Sequence, residues 1–381
     1  MIYFDNPATT FPKPPCVSDE ISKCIKNYCG NPGRSSHYLS IKSAEKIYET
    51  RCLLGELFDS DPENVVFTYN TTYALNIAIK ANLKANSHVL ISDIEHNSVT
   101  RPIRSLSTEK HCSYSFFKTD GDDEEIIENI KSCLTFNTTM LVCTHVSNVG
   151  SRKLPIKKIG ALCRERGIYF IVDGAQSAGI QNISVKEMNI DALCIPAHKG
   201  LYGPQGLGMI IFGQNGFGTS IIQGGTGINS TEPYMPDFLP EAFEAGTLST
   251  PLIAGLCEGL KWLKSINIDH IRSYEEGLYK TTCDLLKSNN NIVLYEMNSY
   301  PGNTLLFNVI GKSSASVASA LDKRKICVRS GFHCSPLAHK CLNTGNGGAL
   351  RIGFSVFNTQ KEVYCFYDAL CEIINEKKPI I

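Results

Sequence analysis

The chain has 381 residues, long enough for one large domain and a smaller one. Hydrophobic residues make up 43% and charged residues 19%, and 37 Lys and Arg balance 37 Asp and Glu. A packed core is therefore expected, and no general attraction to nucleic acid or to an anionic membrane surface. The sixteen cysteines are scattered, mostly in apolar runs, with no CxxC pair. They read as reduced thiols rather than a zinc cluster or a disulfide framework, so no metal is expected. No apolar run approaches the ~18 residues of a membrane span. The first residues lack the basic and apolar regions of a signal peptide, so the expected location is cytoplasmic.

In chain order, strand-like runs fall at 65–68, 88–92, 139–143, 168–172, 192–195 and 208–212. Helical periodicity falls between them at 75–83 and 154–165. A stretch rich in Gly, Ser, Thr and Pro at 213–250 reads as a long functional loop. Helices follow at 252–265 and 268–288, then a strand at 304–309, a helix near 314–324, a strand at 349–353 and a terminal helix at 361–376. This alternation predicts an α/β fold with a large, mostly parallel sheet. The large domain is expected over 13–255 and a smaller α/β C-terminal domain over 256–381. Residues 1–12 are expected to pack on the smaller domain.

The most informative stretch is the apolar run that ends on Asp173. A second run follows, and after it come His198 and Lys199. Neighbouring parallel strands would put Asp173 and Lys199 at adjacent carboxyl ends, where α/β sheets bind ligands. Pyridoxal phosphate needs such a pair: a lysine that binds its aldehyde and an acid beside its ring nitrogen. Alone, Lys199 reads as a solvated loop lysine and Asp173 as a capping residue. Gln176, three residues beyond Asp173, is placed to meet the ring's phenolic oxygen. Thr71 and Thr72 open a helix, where hydroxyls and N–H groups bind phosphate or merely cap. His96 follows a strand and would stack on an aromatic ring or serve as an ordinary surface histidine.

Cys334 sits beside His333 and five residues from Arg329, between Gly331 and Pro336. Positive neighbours on an exposed loop would favour a thiolate, against the plain reading of one more inert thiol. Arg351, within a strand-like run, would grip a carboxylate or form a structural ion pair.

On these residues, together with Ser147, Asn148 and the run from Glu244 to Thr247, the chain resembles class V aminotransferase-fold pyridoxal-phosphate enzymes. It resembles most closely the cysteine desulfurases and selenocysteine lyases with an Arg-x-Gly-x-His-Cys loop. The resemblance spans nearly the whole chain. It implies fold type I, with a seven-stranded sheet in the large domain. It implies that Lys199 carries pyridoxal phosphate, that Asp173 pairs with the ring nitrogen, that Gln176 faces the ring oxygen and that His96 stacks on the ring. Thr71, Thr72 and His198 would bind the phosphate, and Thr247 the phosphate of the neighbouring subunit in a homodimer. Asn148, Arg351 and Arg329 would hold the substrate, L-cysteine or L-selenocysteine. Cys334 would accept sulfur as a persulfide and pass it to an acceptor protein. Similar enzymes often have a serine where this chain has Pro196, which offers neither hydroxyl nor N–H. A selenocysteine lyase, or an aminotransferase or β-lyase without a persulfide step, is the alternative reading.

Overall fold

The computed structural model describes residues 1–33, 36–296 and 302–376. The chain divides into two compact units.

The larger unit comprises Lys13–His145 and Leu154–Ile268. Its seven-stranded sheet runs in the order Val65–Thr68, Gly208–Phe212, Ala192–Pro196, Tyr169–Asp173, Thr138–Thr144, His88–Ser92, Ser113–Phe117. Gly208–Phe212 runs antiparallel to both of its neighbours, and the other pairings are parallel. The interior strands read as continuous apolar runs because both faces are covered, as parallel sheets require. The helix Thr71–Asn82 covers one face, packing on the strands 169–173, 192–196 and 208–212 through side chains such as Leu75, Ala78 and Ile79. From His88–Ser92 the chain moves outward to Ser113–Phe117, then crosses back to Thr138–Thr144 on the other side. The strand order therefore reverses there, and ligands of open α/β sheets bind at the carboxyl ends beside such a reversal.

The boundary expected near 255 falls inside the helix Thr250–Ile266. That helix packs along Pro15–Asn27 and Tyr38–Phe58, and a Cβ on Gly255 would come within 2.6 Å of Ile21 Cγ1. This packing keeps the helix in the larger unit.

The smaller unit draws on three stretches: 1–12, 146–153 and 269–381. An antiparallel sheet orders Arg329–Gly331, Ala349–Gly353, Thr304–Val309 and Ile292–Tyr295. Ile2–Tyr3 pairs in parallel with Ile326–Cys327. Phe4 enters the core edge-on to Phe354 and Phe366. Asn6 donates to Gly353 O at 3.0 Å and to Asn358 Oδ1 at 3.0 Å. Ser151 Oγ donates to Thr304 O at 2.9 Å, which ties the middle stretch to the sheet. Among the described residues no helix is long and apolar enough to cross a membrane.

Candidate active site

The larger unit gathers one set of the predicted residues at the carboxyl ends of its strands. Asp173 closes its strand and is 4% exposed. Its Oδ1 accepts from Ala175 N at 2.9 Å. Burial raises its pKa, opposed by that N–H and by the charge of Lys199. Lys199 lies just beyond the adjacent strand Ala192–Pro196, as the parallel pairing of the two strands predicts. Its loop is fixed from several sides. Tyr202 N donates to Lys199 O at 2.9 Å, and Gly203 N donates to Ala197 O at 2.8 Å. The backbone at Gly179 passes so close to Gly200 that a Cβ on Gly179 would lie 2.1 Å from Gly200 O. With its φ of +80°, Gly179 must be glycine, and this contact sets the Lys199 loop against the turn that follows Asp173. Gln176, 8% exposed, lies on that turn.

Thr71 and Thr72 open the 12-residue helix Thr71–Asn82, with Asn70 as the cap accepting from Tyr73 N at 3.1 Å. His96 caps the helix Asn97–Glu109. Its Nδ1 accepts from Ser98 N at 3.1 Å, which puts the proton of the neutral ring on Nε2. Ser98 Oγ lies 2.9 Å from His96 Nδ1 and 2.8 Å from Thr72 Oγ1, so the two helix starts are joined through one hydroxyl. Burial, with the charges of Lys199 and Lys13, pushes His198 down to about 3, so its ring is neutral.

Thr247 stands apart. It is exposed, three residues beyond Glu244, which is paired with Arg51 at 2.6 Å and accepts from Phe67 N at 2.7 Å. Thr247 lines a cavity of about 570 Å³ with Arg51, Glu244 and Phe238, and Lys199, Asp173, Gln176 and His96 are absent from its walls.

The smaller unit gathers the second set. Arg351 is 2% exposed. Its Nη2 donates to Asp5 Oδ1 at 2.9 Å and its Nη1 to Asn148 O at 3.3 Å, while Nε is buried with no acceptor among the described residues. Arg329 is exposed and pairs in register with Arg351. Cys334 is exposed, and both His333 and Cys334 adopt left-handed backbone, with φ of +51° and +58°. Such backbone is uncommon outside glycine.

The expected charge on His333 is absent. Burial, with Arg351 and His339 nearby, pushes its pKa down to about 2. Its ring stacks on His339 at 5.2 Å and its Nδ1 lies 3.0 Å from His339 Nε2. The nearby cations are the two arginines, and Arg351 interacts electrostatically with Cys334. The side chain of Asn148, expected on the substrate carboxylate, meets the Cys334 loop. Its Nδ2 donates to His333 O at 2.8 Å and its Oδ1 accepts from Ser335 Oγ at 2.7 Å.

The sequence alone assigns no role to three further participants. Lys13 donates from Nζ to His198 O at 2.7 Å, and burial lowers its pKa to about 7. Glu95 is fully buried and raised to about 8. Its Oε1 accepts from Thr144 N at 2.8 Å, and Oε2 has no hydrogen-bond partner among the described residues. Asp5 is the counter-ion of Arg351. Each acts across long sequence separations that no local pattern announces.

The residues fit pyridoxal phosphate. Among them are an amine for its aldehyde, a buried carboxylate whose raised pKa a cationic ring nitrogen would relieve, a neutral imidazole and a helix start bearing two hydroxyls.

The family model described as aminotransferase class-V matches residues 2–366. The chain belongs to the class-V aminotransferase family. Enzymes of this family and cysteine desulfurases depend on pyridoxal phosphate, and the chain has their fold-type I architecture. A probable cysteine desulfurase of Pyrococcus abyssi is 32% identical over 387 residues, covering 98% of this chain and 94% of the relative. A probable cysteine desulfurase of Methanothermobacter thermautotrophicus is 28% identical over 379 residues, covering 98% and 94%. The apo structure of a cysteine desulfurase from Thermococcus onnurineus NA1 superposes with a TM-score of 0.91 at 29% identity, over 98% of this chain and 94% of that one. A NifS-like protein shares the fold, with a TM-score of 0.84 at 21% identity over 98% and 99%.

Proposed function

We propose that the protein is a pyridoxal-phosphate-dependent cysteine desulfurase, converting L-cysteine to L-alanine with the sulfur passed to Cys334. The observation that carries this reading is the exposed Cys334 on a tightly held loop beside the half-satisfied, buried Arg351. The 32% identical relative and the structural neighbour point the same way.

When bound, the cofactor supplies an electron sink conjugated to the substrate α-carbon. Lys199 would anchor it, then carry the proton from the α-carbon. Asp173 would hold a proton on the ring nitrogen, and His96 would present its Nε2–H. Thr71, Thr72 and His198 would receive the phosphate, with Gln176 at the ring oxygen. Lys13 would hold the main chain just before Lys199. Arg351 would bind the substrate carboxylate through Nε and Nη, with Arg329 adding charge. Cys334 would attack the substrate sulfur. A sulfur–sulfur bond forms and the carbon–sulfur bond breaks. The electron pair stays with the carbon skeleton, which is protonated to alanine. The persulfide would then pass to an acceptor protein.

A homodimer is part of this reading. Thr247 is exposed beside a cavity that excludes its own chain's Lys199 and Asp173, which suits a residue serving the partner's phosphate.

The test is alanine formation from L-cysteine by the protein loaded with pyridoxal phosphate. The expected result is turnover that falls at least ~100-fold in Cys334→Ala, as for loss of a nucleophile. Alanine formation unaffected by that change argues against sulfur transfer to Cys334 and for a lyase-type reaction, whereas pyruvate in place of alanine means a β-lyase-type reaction. Turnover confined to L-selenocysteine means a lyase.

A further inference from the structure

We infer that Asn148 and Ser335 form a latch that fixes the direction of Cys334, with Ser335 a positioning residue for its thiol. This rests on the desulfurase reading above. Ser335 is completely buried and lies immediately after Cys334. Its Oγ donates to Asn148 Oδ1 at 2.7 Å, and Asn148 Nδ2 donates to His333 O at 2.8 Å. One amide side chain thus bridges the two residues on either side of the thiol. The Ser335 N–H closes the inner turn onto Phe332 O at 2.8 Å.

The latch has something to hold. His333 and Cys334 both carry positive φ without being glycine, a conformation that persists only where surrounding contacts impose it. His333 is held by the stack on His339, and His339 is held in turn by Thr344 Oγ1, 2.8 Å from its Nδ1. Among the described residues Cys334 makes no hydrogen bond or ring contact of its own besides its electrostatic interaction with Arg351, so its orientation is inherited from residues 333 and 335. Asn148 also belongs to the substrate side of the unit, since its main-chain oxygen accepts from Arg351 Nη1 at 3.3 Å. Sulfur transfer depends on the angle of approach, and a misplacement of about 1 Å costs roughly 100-fold in rate. Alkylation by a small reagent needs only an exposed thiol. The two reactions therefore separate positioning from exposure.

The experiment compares wild type, Ser335→Ala and Ser335→Thr. In the cofactor-free protein, hydrogen exchange is followed at the amides of residues 332–335, and iodoacetamide labelling of Cys334 is followed by peptide mass. In the loaded protein, alanine formation from L-cysteine gives kcat and KM. For Ser335→Ala we expect at least 10-fold faster exchange at residue 335 and Cys334 labelling within about 2-fold of wild type or faster. We also expect kcat down about 10-fold with KM little changed. Ser335→Thr, which keeps the hydroxyl, should restore exchange protection and most of kcat. Unchanged exchange in Ser335→Ala, or unchanged kcat despite lost protection, overturns the latch. A wild-type protein that forms no alanine overturns the desulfurase reading instead, and the exchange measurement still decides whether the latch exists.

Discussion

Arg329 and Arg351 stand directly opposite each other across an antiparallel strand pair. Like charges in that relation are destabilising, because side chains of opposed residues leave the sheet on the same face a few ångströms apart. Asp5, 2.9 Å from Arg351, compensates one of the two charges. Among the described residues one positive charge is left over, together with an Nε–H on Arg351 that has no acceptor. That arrangement suits a single carboxylate.

Arg351→Lys keeps the charge and loses the planar fork, so KM for L-cysteine should rise on the order of 10- to 100-fold while kcat changes little. Arg329→Ala removes an exposed charge and should raise KM by only about 3-fold. Steady-state kinetics on the two variants checks both. Equal effects on KM would contradict the assignment of the carboxylate to Arg351.

Lys13 holds the carbonyl of His198, directly before Lys199. Lys13→Met keeps the apolar stem and removes the donor. A hydrogen bond is worth about 0.5–1.5 kcal/mol net, and more only while the amine is charged, so affinity for pyridoxal phosphate should weaken about 3- to 10-fold, with partial recovery in Lys13→Arg. Titrating the cofactor-free protein and following its absorbance measures this directly.

Glu95 keeps its proton in the folded state up to about pH 8, against 4.5 as the ordinary value. Between those values the unfolded chain has lost the proton and the folded one retains it. Stability therefore falls as pH rises through this window. Asp173, also raised by burial, acts in the same direction. Glu95→Gln removes one contribution, so the melting temperature of the variant relative to wild type should climb between pH 5 and pH 8. Thermal unfolding of the cofactor-free protein across that range is the measurement. A constant difference would show that Glu95 is already ionised.

His333 and His339 have the opposite sign. Burial pushes them down to about 2 and about 4 from 6.5. Their contribution is complete above pH 6.5 and is lost as pH falls toward those values, because the unfolded chain takes up protons first. The segment 329–344 should exchange its amides or be cleaved by protease faster at pH 5 than at pH 7, once intrinsic rates are corrected. His339→Gln should flatten that difference.

Much of the larger unit was legible because its sheet is buried on both faces. The runs that end at Asp173 and just before Lys199 are continuous and apolar, and two parallel neighbours need no more than that to align their ends. The edge strand Ser113–Phe117 was not read, because its exposure alternates irregularly and its neighbours are polar. The helices Pro15–Asn27 and Tyr38–Phe58 were likewise missed, since lysines, glutamates and serines interrupt their apolar faces. The smaller unit's site was legible as a motif and illegible as chemistry. Nothing local to His333 says that its ring is buried and neutral, and nothing local to Asn148 says that its amide reaches residues 333 and 335. Both facts depend on partners up to 187 residues away.

The smaller unit is stitched from stretches at the beginning, middle and end of the chain. A ribosome makes these pieces in order, and the first two have no sheet to join until Thr304–Val309 and Ala349–Gly353 emerge. Phe4 and Ser151 must wait, unpaired, while the larger unit is already complete enough to collapse. Birth of the protein is thus vectorial for the larger unit and simultaneous for the smaller one. Chains stalled before residue 304 would carry a finished sheet and two loose ends, which a chaperone or protease would recognise first.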